Sequence, residues 1–387
     1  MESALQIYEN KLYESGLVSP GDAVLGSLDA TLDWNKNDGV CELLETLFSR
    51  LSINSLIFSR PAEPYRTIID YLAENSGDWI LPQDCESRTF LHDIPVLHQL
   101  NPIKIAEKLI RRKSVVLPGI GVITCGTVSL EQAYVTFSSV CFASFVKFFS
   151  DYLSRCRKGM PDAGYKAVAA RISGLLESPP EFNGSLRKGP FDDEDTIRAA
   201  LEEAGSLTVE KRLVDSYFGN ISYCDGRILY ISQTGASLDH LRGCIDPCPI
   251  DGSSCAAITA SSELPAHLRI ISETRCRAIL HGHPKFSVIL SMDCSDDRCP
   301  VRGQCHIRCP QQRYVCNIPV VPGEVGSGPY GLCHTVPEAI KGHLAVIVYG
   351  HGLFAIGDED FNEPFNQLLS VENACRTEYF RRIQSFQ

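Results

Sequence analysis

The 387-residue chain lacks a positive balance: 36 lysines and arginines stand against 47 acids, a formal net charge of -11 at pH 7. A general nucleic-acid-binding protein needs a basic footprint, so no nucleic-acid partner is expected. The chain also lacks any run approaching the roughly 18 consecutive apolar residues of a membrane span, so no membrane partner is expected. Its opening residues, MESALQIYENKLYESG, are charged and amphipathic and lack the apolar core of a signal peptide. The expectation is a cytoplasmic protein. Cysteine, by contrast, is not scarce. The 17 cysteines of such a chain need an account other than a secreted disulfide framework. A hydrophobic content of 44% is ordinary for a globular protein, and the length suggests two domains.

The chemistry concentrates between Ser261 and His283. An apolar run, Ala278-Ile279-Leu280, ends in His281-Gly282-His283. Bounded by glycine and proline, it reads as a buried strand. Residues i and i+2 of a strand share a face, so both imidazoles project to one side, with Gly282 leaving the other side uncrowded. Two neutral imidazoles converging in this way hold a divalent metal at about 2.0–2.1 Å. His351 is the third nitrogen ligand, in Gly350-His351-Gly352 at the end of the apolar run Ala345–Tyr349. Three histidines with an open fourth position make a catalytic rather than a structural zinc site, with Mn2+, Co2+ and Fe2+ as open alternatives. A lone histidine at a strand end is more often a hydrogen-bonded core or surface residue. The weighing changes because Ser261-Ser262-Glu263 lies a helix upstream and a second glycine-flanked histidine lies downstream. His267 reads as a helix-face residue, not a ligand. Three further segments, Gly219-Asn220, Thr234-Gly235 and Ser261-Ser262, are small and polar. Such segments bring backbone N–H groups and hydroxyls close to an anion. Each taken alone is also ordinary turn chemistry.

In order, Gly219-Asn220-Ile221-Ser222, Ser232-Gln233-Thr234-Gly235, Ser261-Ser262-Glu263, the HGH segment and the GHG segment resemble the class II aldolase/adducin family, close to the L-fuculose-phosphate aldolases. The resemblance runs from about Asp192 onward, and five short motifs in order are a far stronger signal than any one. It implies an α/β fold of three α-β-α layers around a mixed, largely antiparallel sheet. It implies a metal-dependent lyase that cleaves or forms an aldol bond in a phosphorylated hydroxy-carbonyl compound, a sugar phosphate, through a metal-stabilised enediolate. Epimerases, dehydratases and decarboxylases share the site, and adducin-like members are non-catalytic interaction modules. The retained histidines and Glu263 favour the enzyme. By the same resemblance His281, His283 and His351 hold the metal and Glu263 beside it moves the proton, although a glutamate in a helix first turn is common. Gly219, Asn220, Thr234, Gly235, Ser261 and Ser262 bind the substrate phosphate. The chain departs from the family at Ser232-Gln233, where Thr-Pro is usual. Relatives are homo-oligomers that draw tyrosines from a neighbouring subunit; Tyr330 and Tyr379 are present here, but no motif assigns them.

The N-terminal half carries an echo of these segments. Leu56–Pro61 parallels Ile279–Pro284, Asp93–Val96 parallels Asn317–Val320, and Pro118–Gly121 parallels Tyr349–Gly352. The expectation is two tandem class II aldolase-like domains. Residues 1–155 form a degenerate copy, 156–190 a linker with one short helix, and 191–387 the catalytic domain. Phe58, Arg60 and Ile120 would then stand where the metal histidines stand, and none of them can ligate. An insert at 294–316 has no counterpart in the family. It holds Cys294, Cys299, Cys305, Cys309 and Cys316, with Cys309 followed by Pro310. Its first four cysteines suggest a second metal centre, a structural zinc or an iron–sulfur cluster, weighed against free or redox-active thiols.

Overall fold

Apolar runs punctuated by glycine and proline form the strands, and the amphipathic stretches between them form the helices. The computed structural model describes every residue except Met1, Glu2, Pro161, Asp215, Ser216, Ser254 and Gln387. The chain divides into two compact units, one of residues 1–83 and 87–177, the other of residues 84–86 and 178–387.

The first unit contains α1 (Ala4–Glu14), β1 (Val24–Leu28), β2 (Leu32–Trp34), α2 (Cys41–Arg50), β3 (Ser55–Ser59), α3 (Tyr65–Asn75), β4 (Trp79–Ile80), most of α4 (Cys85–Phe90), β5 (Ile94–Pro95), α5 (Pro102–Arg111), β6 (Ser114–Leu117), β7 (Gly121–Gly126), α6 (Leu130–Arg157) and α7 (Ala163–Ser173). Its five-stranded sheet has the order β2-β1-β3-β7-β6, with every neighbour antiparallel. Val96 adds a parallel bridge to Val116. Leu44 and Leu47 of α2 and Ile105 and Leu109 of α5 meet Val24, Leu56, Val115 and Ile123 in one core layer. The helices α3 and α6 pack together, with α6 against β3 and β7. Helix α6 is long and apolar enough to cross a membrane, but 83% of its most apolar window is buried within the protein, which makes it a core helix. The helix expected within the linker is α7; Tyr165 stacks edge-on with Tyr71 of α3 at 4.9 Å, which ties it to the first unit. The boundary therefore falls after Glu177.

The second unit contains α8 (Glu194–Glu210), β8 (Asn220–Cys224), β9 (Ile228–Ser232), β10 (Ile245–Pro249), α9 (Leu264–Thr274), β11 (Ala278–Gly282), α10 (Lys285–Met292), β12 (Arg313–Val315), β13 (Ile318–Val321), α11 (Leu332–Ile340), β14 (Ala345–Val348), β15 (Gly352–Gly357) and α12 (Asn362–Ser385). Its eight-stranded sheet runs β10-β9-β8-β11-β15-β14-β13-β12. Among the described residues, only β13 and β14 pair in parallel in this sheet. Ala266 and Ile270 of α9 and Leu332, Val336 and Ile340 of α11 cover one face, over Ile279, Val346 and Phe354. Helices α10 and α12 pack together, and α12 lies against β11 and β15. Helices thus flank the sheet in layers, as expected. Strand β11 is buried throughout and lies between β8 and β15, with His281 opposite Asn220 on one side and Phe354 on the other. This central strand delivers the first histidine to the end of the sheet.

Candidate metal centre

The strand period places His281 and His283 on one face, and β15 brings the turn that carries His351 beside them. The Nε2 atoms of His281 and His283 are 3.0 Å apart, and those of His281 and His351 are 3.3 Å apart. All three ligand atoms lie within 4.8 Å of one another, and all three side chains are buried. The Nδ1 of His281 lies 3.1 Å from the Leu353 carbonyl and donates its proton there, which leaves the Nε2 lone pair facing its neighbours. Such a bond to the outer nitrogen is the usual device for orienting a metal-binding imidazole. The ring of His281 also stacks on Phe354 at 4.0 Å between centroids.

Two close approaches make this packing possible. A Cβ on Gly352 would stand 2.4 Å from the Gly282 carbonyl oxygen, 2.7 Å from His283 and 2.8 Å from His281. A Cβ on Gly282 would meet the Leu213 carbonyl and Leu368 at 2.8 Å each. The side of Gly282 away from the histidines is therefore tightly covered, not uncrowded. Glycine is required there because α12 packs directly against β11.

Burial holds the histidines neutral. It pushes His281 down to about 3 and His351 down to about 4, and it drives His283 well below the ordinary histidine value, helped by the neighbouring imidazoles. Three uncharged imidazoles with converging nitrogens cannot satisfy one another by hydrogen bonds alone. A divalent cation satisfies all three, so the residues fit a metal by donor type and by placement. The Nδ1 of His351 is buried without a hydrogen-bond partner among the described residues.

Glu263 caps the start of α9 and is 4% exposed. Its carboxyl oxygens lie 3.5 Å from His351 Nε2 and 3.7 Å from His281 Nε2. Burial raises it above the ordinary carboxylate range, while His351 and the bond from Asn220 act in the opposite direction. Asn220 Nδ2 donates to Glu263 at 2.7 Å, and Asn220 Oδ1 lies 2.6 Å from His267 Nε2. His267 Nδ1 in turn lies 2.7 Å from the Ser222 hydroxyl. The chain of bonds fixes the tautomer: Ser222 donates to His267, His267 donates to Asn220, and Asn220 donates to Glu263. His267 is thus a buried positioning residue, and burial pushes it down to about 3. The only signal for this role in the sequence was its place one helical turn beyond Glu263.

The three small polar turns meet at the same end of the sheet. Ile221 N donates to Ser232 Oγ at 3.2 Å, Ser261 N donates to the Ser232 carbonyl at 3.0 Å, and Thr234 N donates to the Thr259 carbonyl at 3.0 Å. Both ends of the Asn220 side-chain amide are already engaged. Ser261 is buried, with its hydroxyl accepting from Glu263 N at 3.3 Å, whereas Ser262 is exposed. Gln233, at the departure from Thr-Pro, donates to Asp246 at 2.8 Å.

A second carboxylate with no sequence motif also reaches the centre. Glu86, in the 84–86 segment of this unit, lies 3.8 Å from His351 Nε2. The segment is anchored by Cys85 N, which donates to the Gly350 carbonyl at 2.6 Å. Burial, then the charges of Glu263 and Asp84, pushes Glu86 up to about 8. Of the two tyrosines noted in the sequence, Tyr379 is fully buried within α12 and Tyr330 is 53% exposed. Among the described residues, the histidine trio is the one set of three such groups gathered closely enough to hold a single ion; the cysteines of the insert are not so gathered.

Residues 199–379 match the family model described as the Class II Aldolase and Adducin N-terminal domain. Among solved structures, the chain is similar to L-fuculose-1-phosphate aldolase from Thermus thermophilus, at 23% identity over 50% of this chain and 97% of that one, with a TM-score of 0.41. It is similar to YgbL from Escherichia coli, described as a putative aldolase/epimerase/decarboxylase, at 21% identity over 48% and 89% of the two chains, with a TM-score of 0.39. It is also similar to a sugar-phosphate aldolase from Thermotoga maritima, at 19% identity over 48% and 94%, with a TM-score of 0.34. No curated protein matches the chain.

Proposed function

We propose, from the premise that residues 199–379 match the model of the class II aldolase and adducin family, that the second unit is a metal-dependent lyase acting on a phosphorylated hydroxy-carbonyl compound. The family spans aldolases, epimerases and decarboxylases, and aldol cleavage or condensation is the reading preferred here. One observation carries it: three neutral imidazoles converge within 4.8 Å, with the buried Glu263 carboxyl 3.5 Å from one of them. A divalent ion held by His281, His283 and His351, zinc being the usual one in the family, supplies electrophilic polarisation of the substrate oxygens. Glu263 takes the proton and returns it. Its raised affinity for protons suits a group that must exist in both states. Asn220, held by His267 and Ser222, keeps that carboxyl aimed. The turns at Gly219-Asn220, Thr234-Gly235 and Ser261-Ser262 hold the substrate phosphate in this reading, through groups other than Thr234 N, Ser261 N and the Asn220 amide, which are bonded within the protein. A non-catalytic interaction module would have no use for a proton carrier anchored beside three histidines.

Metal analysis combined with a retro-aldol screen of sugar phosphates tests the reading. The metal-loaded protein should cleave a sugar phosphate, and His351→Ala should lose one divalent ion per chain and the cleavage while keeping its fold. Full retention of metal by folded His351→Ala would defeat the ligand assignment. Epimerisation or decarboxylation without cleavage would defeat the aldol reading and leave the site standing.

The first unit is read as a degenerate copy of the second. Its order β2-β1-β3-β7-β6 parallels β9-β8-β11-β15-β14, antiparallel at every step. The parallel bridge from Val96 to Val116 parallels the β13–β14 pair. Registers agree as well: Phe58 lies opposite Val24 and Ile123, as His281 lies opposite Asn220 and Phe354. In this reading the unit keeps the scaffold and has lost the metal.

A further inference from the structure

The insert between α10 and β13 plays no part in the histidine centre, yet four of its cysteines line one cavity. We propose that Cys294, Cys299, Cys305 and Cys309 bind a four-iron, four-sulfide cluster through their thiolates.

The first support is the cavity, of about 240 Å³, whose wall contains all four of these cysteines. Their sequence neighbour Cys316 is not in the wall, and it forms a hydrogen bond with Cys375 instead. None of the four is in a disulfide.

Spacing supplies the second argument. A single zinc ion with bonds of about 2.3 Å would draw four sulfurs to within roughly 3.8 Å of one another. Among the described residues only the histidine trio is gathered for a single ion, and these cysteines are not. A cubane cluster instead takes one thiolate at each of four separate irons, so its ligands stand apart around a shared space. A cavity wall that carries four cysteines not gathered at a single point is compatible with that arrangement.

The third concerns the backbone. Between Met292 and Arg313 the chain has no helix or strand, only linked turns such as Arg302 N to Cys299 O at 3.1 Å and Ile307 N to Gln304 O at 2.9 Å. A long segment without regular structure costs conformational entropy to order, and four covalent bonds to one rigid core offset that cost. Charge is also suitable. A 2+ core with four thiolates is dianionic, and Arg302 and Arg313 line the cavity beside one acid, Asp296. The Cys309-Pro310 step is shared with ferredoxin-type runs, although the other intervals differ from theirs.

Anaerobic reconstitution tests the site. Two ferrous ions, two ferric ions and four sulfides balance to the 2+ core without an outside oxidant, and ligation by four thiols releases four protons. Purified full-length protein should take up about four iron and four sulfide per chain and develop broad visible charge-transfer absorption. Cys299→Ser and Cys305→Ser should each lower the bound iron at least several-fold. Cys255→Ser, an exposed thiol outside the wall, should leave it unchanged. His351→Ala should also keep the cluster, so this result does not depend on the aldolase reading. An unchanged circular dichroism spectrum separates loss of the cluster from loss of the fold. Zinc held by the same four cysteines, a two-iron stoichiometry, or no uptake by the folded protein would each overturn the proposal.

Discussion

Glu263 is useful as a proton carrier only if its carboxyl can gain and lose charge without moving. Burial raises its proton affinity, and the donor bond from Asn220 at 2.7 Å holds it in place. Glu263→Gln keeps the shape and should keep the metal, since the three histidines remain. The amide cannot accept the proton, so turnover should fall by roughly 10²–10⁴ with substrate binding retained. Steady-state kinetics on protein of measured metal content checks this. Near-normal turnover restored by saturating metal would instead make Glu263 a ligand. The histidines were legible in the sequence because strand periodicity alone puts His281 and His283 on one face. The relay behind Glu263 was not. His267 meets Asn220 and Ser222 only because β8 pairs with β11 and α9 crosses above, and no local pattern encodes that meeting. Glu86 was invisible for a stronger reason: it reaches His351 through a segment with no motif of its own.

Elements set the accuracy of the site through one close contact, where β15 begins beside the end of β11. Gly352 has no room for a side chain: a Cβ there would press on the Gly282 carbonyl and on both His281 and His283. Gly352→Ala should therefore part the strands at the histidines. Overpacking of this kind costs about 1–3 kcal/mol, and the metal should be lost even where the protein still folds. Urea denaturation and metal analysis of the variant read the two effects separately; an unchanged midpoint with full metal would contradict the packing argument. The sequence indicated these strands well, since Ala278–Leu280 and Ala345–Tyr349 are short apolar runs ended by His281-Gly282 and Gly350. It indicated the wrong reason for Gly282, because the leucine that covers it, Leu368, comes from a helix that folds back much later in the chain. The insert was legible only as cysteine spacing. That four of its cysteines line one cavity depends on turns with no periodic signal.

Over the whole molecule, the question is whether one fold was written twice. Five successive strands of the larger sheet follow the order of the smaller one, and the likeness extends to single residues. At Gly121 an added Cβ would meet the Ser59 carbonyl oxygen at 2.7 Å and the Phe58 ring at 3.0 Å, just as at Gly352 it would meet the Gly282 oxygen and the His281 ring. Three short sequence echoes suggest this correspondence, whereas the intervening residues show no such similarity. If the copies correspond, Phe58, Arg60 and Ile120 occupy the histidine positions, and restoring histidines there should recreate a metal centre. Two of the changes are mild. Ile120 is 37% exposed, and Arg60 gives up only a solvent-facing pair with Asp70 at 3.5 Å, worth about 0–1 kcal/mol. Val24 stands where Asn220 stands, so the new centre would lack the relay that aims Glu263 and should bind metal without supporting turnover. The combined variant Phe58→His, Arg60→His, Ile120→His should take up one more equivalent of zinc than the parent in a titration of metal-depleted protein. Its catalytic rate per chain should be unchanged. A folded triple variant that takes up no more zinc than the parent would mean that the three positions do not converge, and the duplication would have to be given up at the level of the site.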